Sequence, residues 1–326
     1  MSTDKPAALP FLLDNLVKVS DSLNYKVKII DRNLIRVSCG EKSFLAGANS
    51  DIGINPINSH FAAEIANDKA RSINLLKAEG FRVPEGEHFF LGNKNTYTEK
   101  GRSLNDAFAY ARTLGFPVFV KPNRSCAAKF AQAVYSKEKL KENIEKIAQI
   151  DSIALIQKII NFPEYRLVTI DGEFQYRCRK EIPQITGDGK KTIDEILEEF
   201  NANLGKEAVK PDSHFLNHQL RQKNLENHSI LKKGEVLPVA SIANLWTGGK
   251  AVDYSETVSD ATKKWLKKIS ACLNLRVMGI DVFARGSIHD PENLIILEVN
   301  HNPGHKVAPP EKVCKMIALV CQKYFV

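Results

Sequence analysis

The chain has 326 residues, 43% of them hydrophobic and 26% charged, with a formal net charge of +8. That length buries a sizeable core in two or three lobes, and the composition excludes a disordered, fibrous or membrane-spanning chain. The lysines are scattered through amphipathic stretches such as 137–146 and 263–268, with no aromatics interleaved. No nucleic-acid partner is therefore expected, and the charge suits phosphates instead. Cys39, Cys126, Cys178, Cys272, Cys314 and Cys321 form no C-x-x-C pair and no zinc-like spacing with histidine. The start, MSTDKPAALPFLL, lacks a basic leader, and no apolar run approaches the roughly 18 residues a membrane span needs. A cytoplasmic protein with reduced thiols and no membrane partner is expected.

Residues 10–50 alternate a short amphipathic helix, Phe11–Leu23, with strand-like runs at 27–31, 34–38 and 43–47, a small N-terminal module within residues 1–58. Residues 53–59, GINPINS, are a loop by composition, and Ser59 is placed to cap one helix running to Gly80. Val83-Pro84 forces an extended start to a strand. A helix over Ser103–Leu114 leads through Gly115-Phe116-Pro117 into the strand Val118-Phe119-Val120, which ends in Lys121-Pro122. A polar loop, a return strand (Phe130–Val134), a lysine-rich helix (Lys137–Ala148) and a strand (Ser152–Ile156) follow. Strands at 166–171 and 173–180 then turn at Asp171-Gly172. This order predicts an α+β sandwich of antiparallel sheets rather than strict βαβ alternation. Past the loop Gly187-Asp188-Gly189, Thr192 begins a helix, and the polar stretch 203–236 reads as a surface flap. A strand over Val239–Leu245, the loop Trp246-Thr247-Gly248-Gly249, a helix over Asp260–Leu273 and a closing helix over Glu311–Tyr324 complete the chain.

The densest chemistry lies between Val277 and His305. Two apolar strands there, Val277–Ala284 and Asn293–Val299, are joined by a polar turn. Glu298 and Asn300 are two residues apart and project from one strand face, and hairpin pairing brings Asp281 beside them. Two carboxylates and an amide oxygen are hard donors that suit one or two Mg²⁺ ions, with Mn²⁺ as the substitute. Asn302-Pro303-Gly304 ends the strand, with Gly304 free to take a positive φ where a ligand approaches the backbone.

The order of parts resembles the ATP-grasp superfamily over roughly residues 60–310, in the branch of cyanophycin-synthetase-like and bifunctional-glutathione-synthetase-like proteins, with D-alanine–D-alanine ligases more distant. The residues that carry the resemblance are Ile65-Ala66-Asn67-Asp68-Lys69, Phe119-Val120-Lys121-Pro122, Glu164-Tyr165-Arg166, Gly187–Ile193 (GDGKKTI), Ala243–Asp253 (ANLWTGGKAVD), and the Gly279-Ile280-Asp281 and Glu298-Val299-Asn300 pair. It implies an ATP-grasp fold, two α+β lobes whose antiparallel sheets grip ATP, spanning 59–326 with a lid at about 85–157. It also implies roles. Lys121 and Lys180 meet the phosphates, and the hinge Gln157–Ile160 holds adenine through backbone groups of Lys158 and Ile160 and the Gln157 amide. Glu164 accepts from the ribose, and Asp281, Glu298 and Asn300 hold Mg²⁺. Arg166 and the Gly304 backbone face the acceptor carboxylate or the transferred phosphoryl group. His301 and His305, beside the Pro-Gly turn, are general-base candidates of lesser weight.

The resemblance implies an ATP-dependent carboxylate–amine ligase acting on small substrates such as amino acids or short peptides, and an oligomer of like subunits. One departure leaves an alternative open. The loop after Lys121-Pro122 has no glycine between Asn123 and Phe130, with Ala128 and Phe130 where glycines are expected. Either Arg124, Ser125 and Lys129 supply contacts from their side chains, or the protein binds nucleotide weakly in a regulatory or scaffolding role. A kinase acting on a phosphorylated polyol is a further alternative, against which the GDGK and TGG segments weigh.

Overall fold

The computed structural model describes residues 9–47, 55–92, 102–125, 129–204, 213–245 and 248–326. Helix α1 (Phe11–Ser22) precedes strands β1 (Lys26–Asp31), β2 (Leu34–Cys39) and β3 (Lys42–Gly47), which form an antiparallel sheet in that order. Alternation along β2 and β3 buries Ile35, Val37, Phe44 and Ala46 in one core with Leu13 and Leu16 of α1.

The apolar stretch after Ser59 is two helices, α2 (His60–Asn67) and α3 (Lys69–Ala78), rather than one. The break is at Asp68, whose backbone is extended at φ −92° and ψ 95°. Its carboxylate caps α3 by accepting from the Arg71 N–H at 3.0 Å, satisfying a helix-start donor that a continuous helix would not expose. Periodicity carries no sign of that interruption.

Strands β4 (Gly86–Phe90), β5 (Val118–Pro122), β6 (Gln132–Val134) and β7 (Ile153–Lys158), with helices α4 (Leu104–Leu114) and α5 (Lys137–Ile147), make a second unit. Its sheet runs β4-β7-β5-β6. Phe89, Val118, Val120, Ala154 and Ile156 share a core with Ala107 and Ala111 of α4 and Leu140 and Ile144 of α5. Phe119, Lys121 and Gln157 alternate with these residues and so occupy the face turned away from the helices.

The largest sheet runs β12-β9-β8-β13-β14, from β8 (Glu164–Ile170), β9 (Glu173–Glu181), β12 (Lys250–Ser255), β13 (Val277–Ala284) and β14 (Leu294–Asn300). One face, with Leu167, Met278, Ile280, Val282, Ile296 and Val299, packs on α2, α3 and helix α8 (Asp260–Leu273). The other face is divided. Val168, Ile170, Tyr176 and Val277 lie under α1 and the C-terminal helix α9 (Pro310–Phe325). Further along the same strands the register continues that face into Glu164, Arg166, Lys180, Asp281, Glu298 and Asn300.

Two expectations change in the segment between β9 and β12. The stretch 203–236 is not a bare flap: β10 (Gln184–Thr186) pairs with β11 (Val236–Pro238), and helices α6 (Ile193–Asn203) and α7 (Ser213–Gln222) lie between them in the chain. Ile193, Leu216, Leu220, Leu231 and Leu237 are too widely spaced to signal a core in sequence, yet they converge into one. Residues 205–212 lie outside the described residues. The strand expected over Val239–Leu245 is irregular instead, and the strand of this region is β12, where β9 offers an edge to pair.

Close approach demands glycine at Gly279, not Gly304. A β-carbon on Gly279 would lie 2.6 Å from Pro303 Cβ, so the Asn302-Pro303-Gly304 turn rests on that strand position. Gly304 has no positive φ, and a β-carbon there meets nothing within 4 Å. Gly279→Ala should therefore lower unfolding free energy by about 1–3 kcal/mol through overpacking. Gly304→Ala should stay within about 0.5 kcal/mol of the parent. Urea midpoints of the two variants decide this, and equal midpoints would refute the contact.

Candidate active site

The polar end of the large sheet is a network of opposite charges. Asp281 is fully buried, and the Arg166 guanidinium grips both its oxygens, Nε to Oδ1 at 2.8 Å and Nη2 to Oδ2 at 2.7 Å. Lys180 Nζ lies 3.3 Å from Asp281 Oδ2 and also donates to Glu164 Oε1 in a very short contact. The register explains these meetings: Asp281 lies opposite Arg166 on one side and Glu298 on the other, and Glu164 opposite Lys180. Burial alone would push the Asp281 carboxyl up, but Arg166 and Lys180 outweigh it and hold it well below the usual carboxylate range. Burial would likewise push the Lys180 ammonium down, and Asp281 and Glu164 reverse that and raise it. Glu164 goes the other way: its burial, helped by nearby Asp281, pushes it up in spite of Lys180.

The other sheet contributes Lys121, only 4% exposed, whose Nζ is 3.5 Å from the Leu297 carbonyl on the strand that carries Glu298 and Asn300. Burial lowers its ammonium to about 8, with Glu298 opposing that and Lys69 adding to it. Gln157, on the same sheet face, is buried, and its Oε1 has no hydrogen-bond partner among the described residues. Lys158 is exposed, its ammonium 3.4 Å from Glu85 and its N–H already donated to the Glu85 carbonyl, while Ile160 is half-buried just beyond the strand. Of the Lys158 backbone groups expected at a base, the N–H is thus engaged. Arg166 and Glu164 likewise have partners in the protein itself, Asp281 and Lys180.

The loop leaving Lys121-Pro122 is anchored by the helix that starts at Lys69. Lys69 Nζ donates to the Ser125 carbonyl at 2.9 Å, and Asn123 Oδ1 accepts from the Ala70 N–H at 2.8 Å. Arg124 reaches back to Glu64 at 3.0 Å, so it braces the loop rather than extending toward a ligand. Residues 126–128, including Cys126 and Ala128, lie outside the described residues. Phe130 adopts φ 57°, the left-handed conformation in which glycine is usual, and packs its ring against the second unit's core. The Lys129 ammonium lies 5.5 Å from that ring's centre.

Of the histidines near the turn, His305 is only 4% exposed, and burial with the nearby Arg166 charge lowers it to about 4. Its Nδ1 is 3.4 Å from the Tyr176 hydroxyl, which also lies 3.4 Å from the Gly304 carbonyl. That is a packed neutral ring at the border between the apolar and polar ends of the face. Several other recognisable stretches are joints of the fold. Gly187 fits against the Leu231–Lys232 backbone, Asp188 Oδ1 accepts from Lys190 and Lys191 N–H groups at 2.8 Å, and Thr192 and Glu195 form a capping box. Gly248 at φ 90° packs on Phe200, while Trp246 and Thr247 lie outside the described residues. Sequence reasoning missed Asn58, Lys69 as an anchor, and Gly279. Lys69 and Gly279 stand inside recognised motifs, so only their task was hidden.

Asp281, Glu298 and Asn300 are hard oxygen donors of the kind a divalent cation takes, with both Asp281 oxygens engaged by Arg166 and Lys180. Asp281 and Glu298 are register partners, and the Asn300 amide is 3.4 Å from Glu298 Oε1. Among the described residues, no group of three or more His, Cys, Asp or Glu side chains is gathered so that it could hold a metal ion. A cation held by two carboxylates and an amide would take its further ligands from outside the protein.

Comparison with known proteins bears on this geometry. The family model described as D-ala D-ala ligase C-terminus matches residues 75–190. The chain is 25% identical over 275 residues to a cyanophycin synthetase of Crocosphaera subtropica, covering 79% of this chain and 30% of that protein. It is 24% identical over 239 residues to the glutathione biosynthesis bifunctional protein of Listeria innocua, covering 70% of this chain and 30% of that one. A crystal structure of a bifunctional glutathione synthetase from Pasteurella multocida aligns with a TM-score of 0.53 at 18% identity, over 95% of this chain and 44% of that chain. The chain thus spans 30% of the length of these sequence relatives.

Asp281→Asn should destabilise the protein by about 3–5 kcal/mol, because it removes the carboxylate that compensates two buried cations. The sign with pH follows from the lowered carboxyl. A depressed carboxyl contributes stability that is full above the unfolded value near ~4 and is lost as pH falls toward the folded value. Urea midpoints should therefore fall more steeply below about pH 4 in the parent than in Asp281→Asn. Parallel curves would refute the assignment.

Proposed function

We propose that this chain, an ATP-grasp protein of the branch that holds the cyanophycin synthetases and the bifunctional glutathione synthetases, is an ATP-dependent carboxylate–amine ligase. The observation that carries the reading is Lys121. A buried ammonium lies beside the strand of Glu298 and Asn300, across from the Arg166–Asp281–Lys180–Glu164 network. Such a cation favours an anion between the sheets, and a triphosphate chain fits that requirement.

Each group then has a task. Lys121 and Lys180 neutralise charge on the transferred phosphoryl group, and the unpartnered Gln157 oxygen accepts from the adenine amino group. Asp281, Glu298 and Asn300 hold Mg²⁺, which when bound screens the phosphate oxygens. Arg166 fixes the Asp281 carboxylate, and Glu164 holds Lys180 or accepts from the ribose. A substrate carboxylate oxygen forms a bond to the γ-phosphorus as ADP leaves, giving an acyl phosphate. An amine nitrogen then bonds to the acyl carbon, inorganic phosphate leaves with the electron pair, and the nitrogen gives up a proton. The substrates are a small carboxylate and amine, of the amino-acid or short-peptide class. Unpaired Cys39, Cys178, Cys272, Cys314 and Cys321 suit a reducing cytoplasm, and among the described residues no helix is long and apolar enough to cross a membrane.

The glycine-less loop favours the enzyme over a binding-only protein, because Phe130 takes the left-handed backbone that a glycine would supply. Its strain is on the order of 1–2 kcal/mol, which packing of the ring offsets.

ADP release from Mg²⁺-ATP, screened across amino acids and dipeptides singly and in pairs, tests the proposal. Release should require both a carboxylate and an amine and vanish in an Asp281→Ala/Glu298→Ala variant. Tight ATP binding with no pair-dependent release would sink the ligase reading. A second outcome concerns pH. ATP favours the protonated Lys121, so affinity should be level below about 8 and fall as pH rises through that value. The decline should approach about tenfold per unit, and Lys121→Met should abolish it.

A further inference from the structure

Asn58 is the only described residue of the entry loop 55–59 whose side chain reaches both strands of the Asp281–Glu298 pair. Its Oδ1 accepts from the N–H groups of Arg276 and Val277, each at 2.9 Å. Its Nδ2 donates to the Val277 carbonyl at 2.9 Å and to the His301 carbonyl at 3.0 Å. The β13–β14 ladder ends at the Gly279–Asn300 pair. One step further, where a rung would join the strands, the Asn58 amide stands between Val277 and His301 in its place. Asn55 adds a contact from its Nδ2 to the His301 carbonyl at 3.3 Å and to Asn302 Oδ1 at 3.2 Å.

We infer that Asn58 is a positioning residue for the metal arm of the site, a role that rests on the reading of Asp281, Glu298 and Asn300 as metal donors. An asparagine side chain carries the donor and acceptor of a peptide group, so it extends the ladder by one rung without a third strand. The His301 carbonyl it holds directly follows Asn300, so its hold sets the direction in which the Asn300 amide leaves the strand. Two residues past His301, Pro303 settles on Gly279. Without Asn58, Asn300 stands at the end of an edge strand, its amide 3.4 Å from Glu298 Oε1. Groups one shell out from a metal commonly govern its affinity in this manner.

Two variants separate positioning from folding. Asn58→Asp keeps the acceptor for the two N–H groups but presents a carboxylate to the two carbonyls. Asn55→Ala removes only the weaker support of His301 and Asn302. ATP affinity is measured in EDTA and across a Mg²⁺ titration, with a thermal melt of each protein alongside. Asn58→Asp should raise half-saturating Mg²⁺ by about tenfold or more. Asn55→Ala should raise it less, and metal-free ATP affinity should stay within about twofold in both, since the hydrogen bonds of Asn55 and Asn58 go to residues other than Lys121 and Gln157. An unaltered Mg²⁺ dependence in both variants, in a parent whose ATP binding is Mg²⁺-dependent, overturns the inference and leaves the ligase reading standing. A shift confined to melting temperature, or an equal loss of metal-free affinity, overturns it as well. A parent that binds ATP no better with Mg²⁺ than without overturns the metal reading and this inference together.

Discussion

A carboxylate with no exposure to solvent is the constraint around which this molecule is arranged. Asp281 has left water entirely, and an uncompensated carboxylate in that position would cost several kcal/mol. Arg166 and Lys180 remove the cost, one with two parallel hydrogen bonds and the other with charge shared with Glu164. All four side chains come from neighbouring strands of an antiparallel sheet at matching register positions. A one-residue slip in β8 would turn Arg166 into the apolar face that Leu167 now occupies and leave Asp281 facing Leu167 or Tyr165 instead. The register of the largest sheet and the electrostatics of the site are therefore one constraint.

The same alternation explains why the site lies where it does. A single sheet face is apolar at one end, under α1 and α9, and charged at the other. The border is closed by neutral groups: Tyr176, the buried His305 ring and Pro303 on Gly279. The second sheet turns the face opposite α4 and α5 toward the charged end and places Lys121 there at a burial cost on the order of 3 kcal/mol, judged from its fall from 10.5 to about 8. A cost of that size persists where a ligand offsets it, and it is the physical reason to look for an anion in this cleft.

Much of this was legible in the sequence. The hairpin bearing Asp281, Glu298 and Asn300 follows from a period of two, while Lys121 stood out only through its place at a strand end in the order of parts that resembles the ATP-grasp superfamily. The internal pairing was not. Arg166 and Glu164 offered their charges to any ligand until the register showed Asp281 and Lys180 directly across from them, and register belongs to pairs of strands. The break at Asp68 was hidden because a cap inside an apolar stripe looks like one more polar position. The core of the 203–236 region was hidden because its leucines are close in space and distant in sequence. Gly304 drew attention as a glycine in a turn, while Gly279, which does need to lack a side chain, read as an ordinary strand residue.

One short segment touches both halves of the cleft. At its start, Asn58 holds the backbone where β13 begins and where β14 ends, next to Asn300. At its far end, Lys69 holds the carbonyls of Asn123 and Ser125, just past Lys121. Between them lies α2, capped by Ser59 and closed by Asp68, which also caps the helix carrying Lys69. The two residues that flank α2 and its caps, Asn58 and Lys69, are bound to main-chain atoms rather than to the reactive side chains. The spacing between the Asn300 end of β14 and Lys121 is thus tied to backbone geometry, separately from the side-chain network of Arg166, Asp281, Lys180 and Glu164. That division of labour accounts for a recognisable Asn-Asp-Lys stretch in a segment that contributes no group to the chemistry itself.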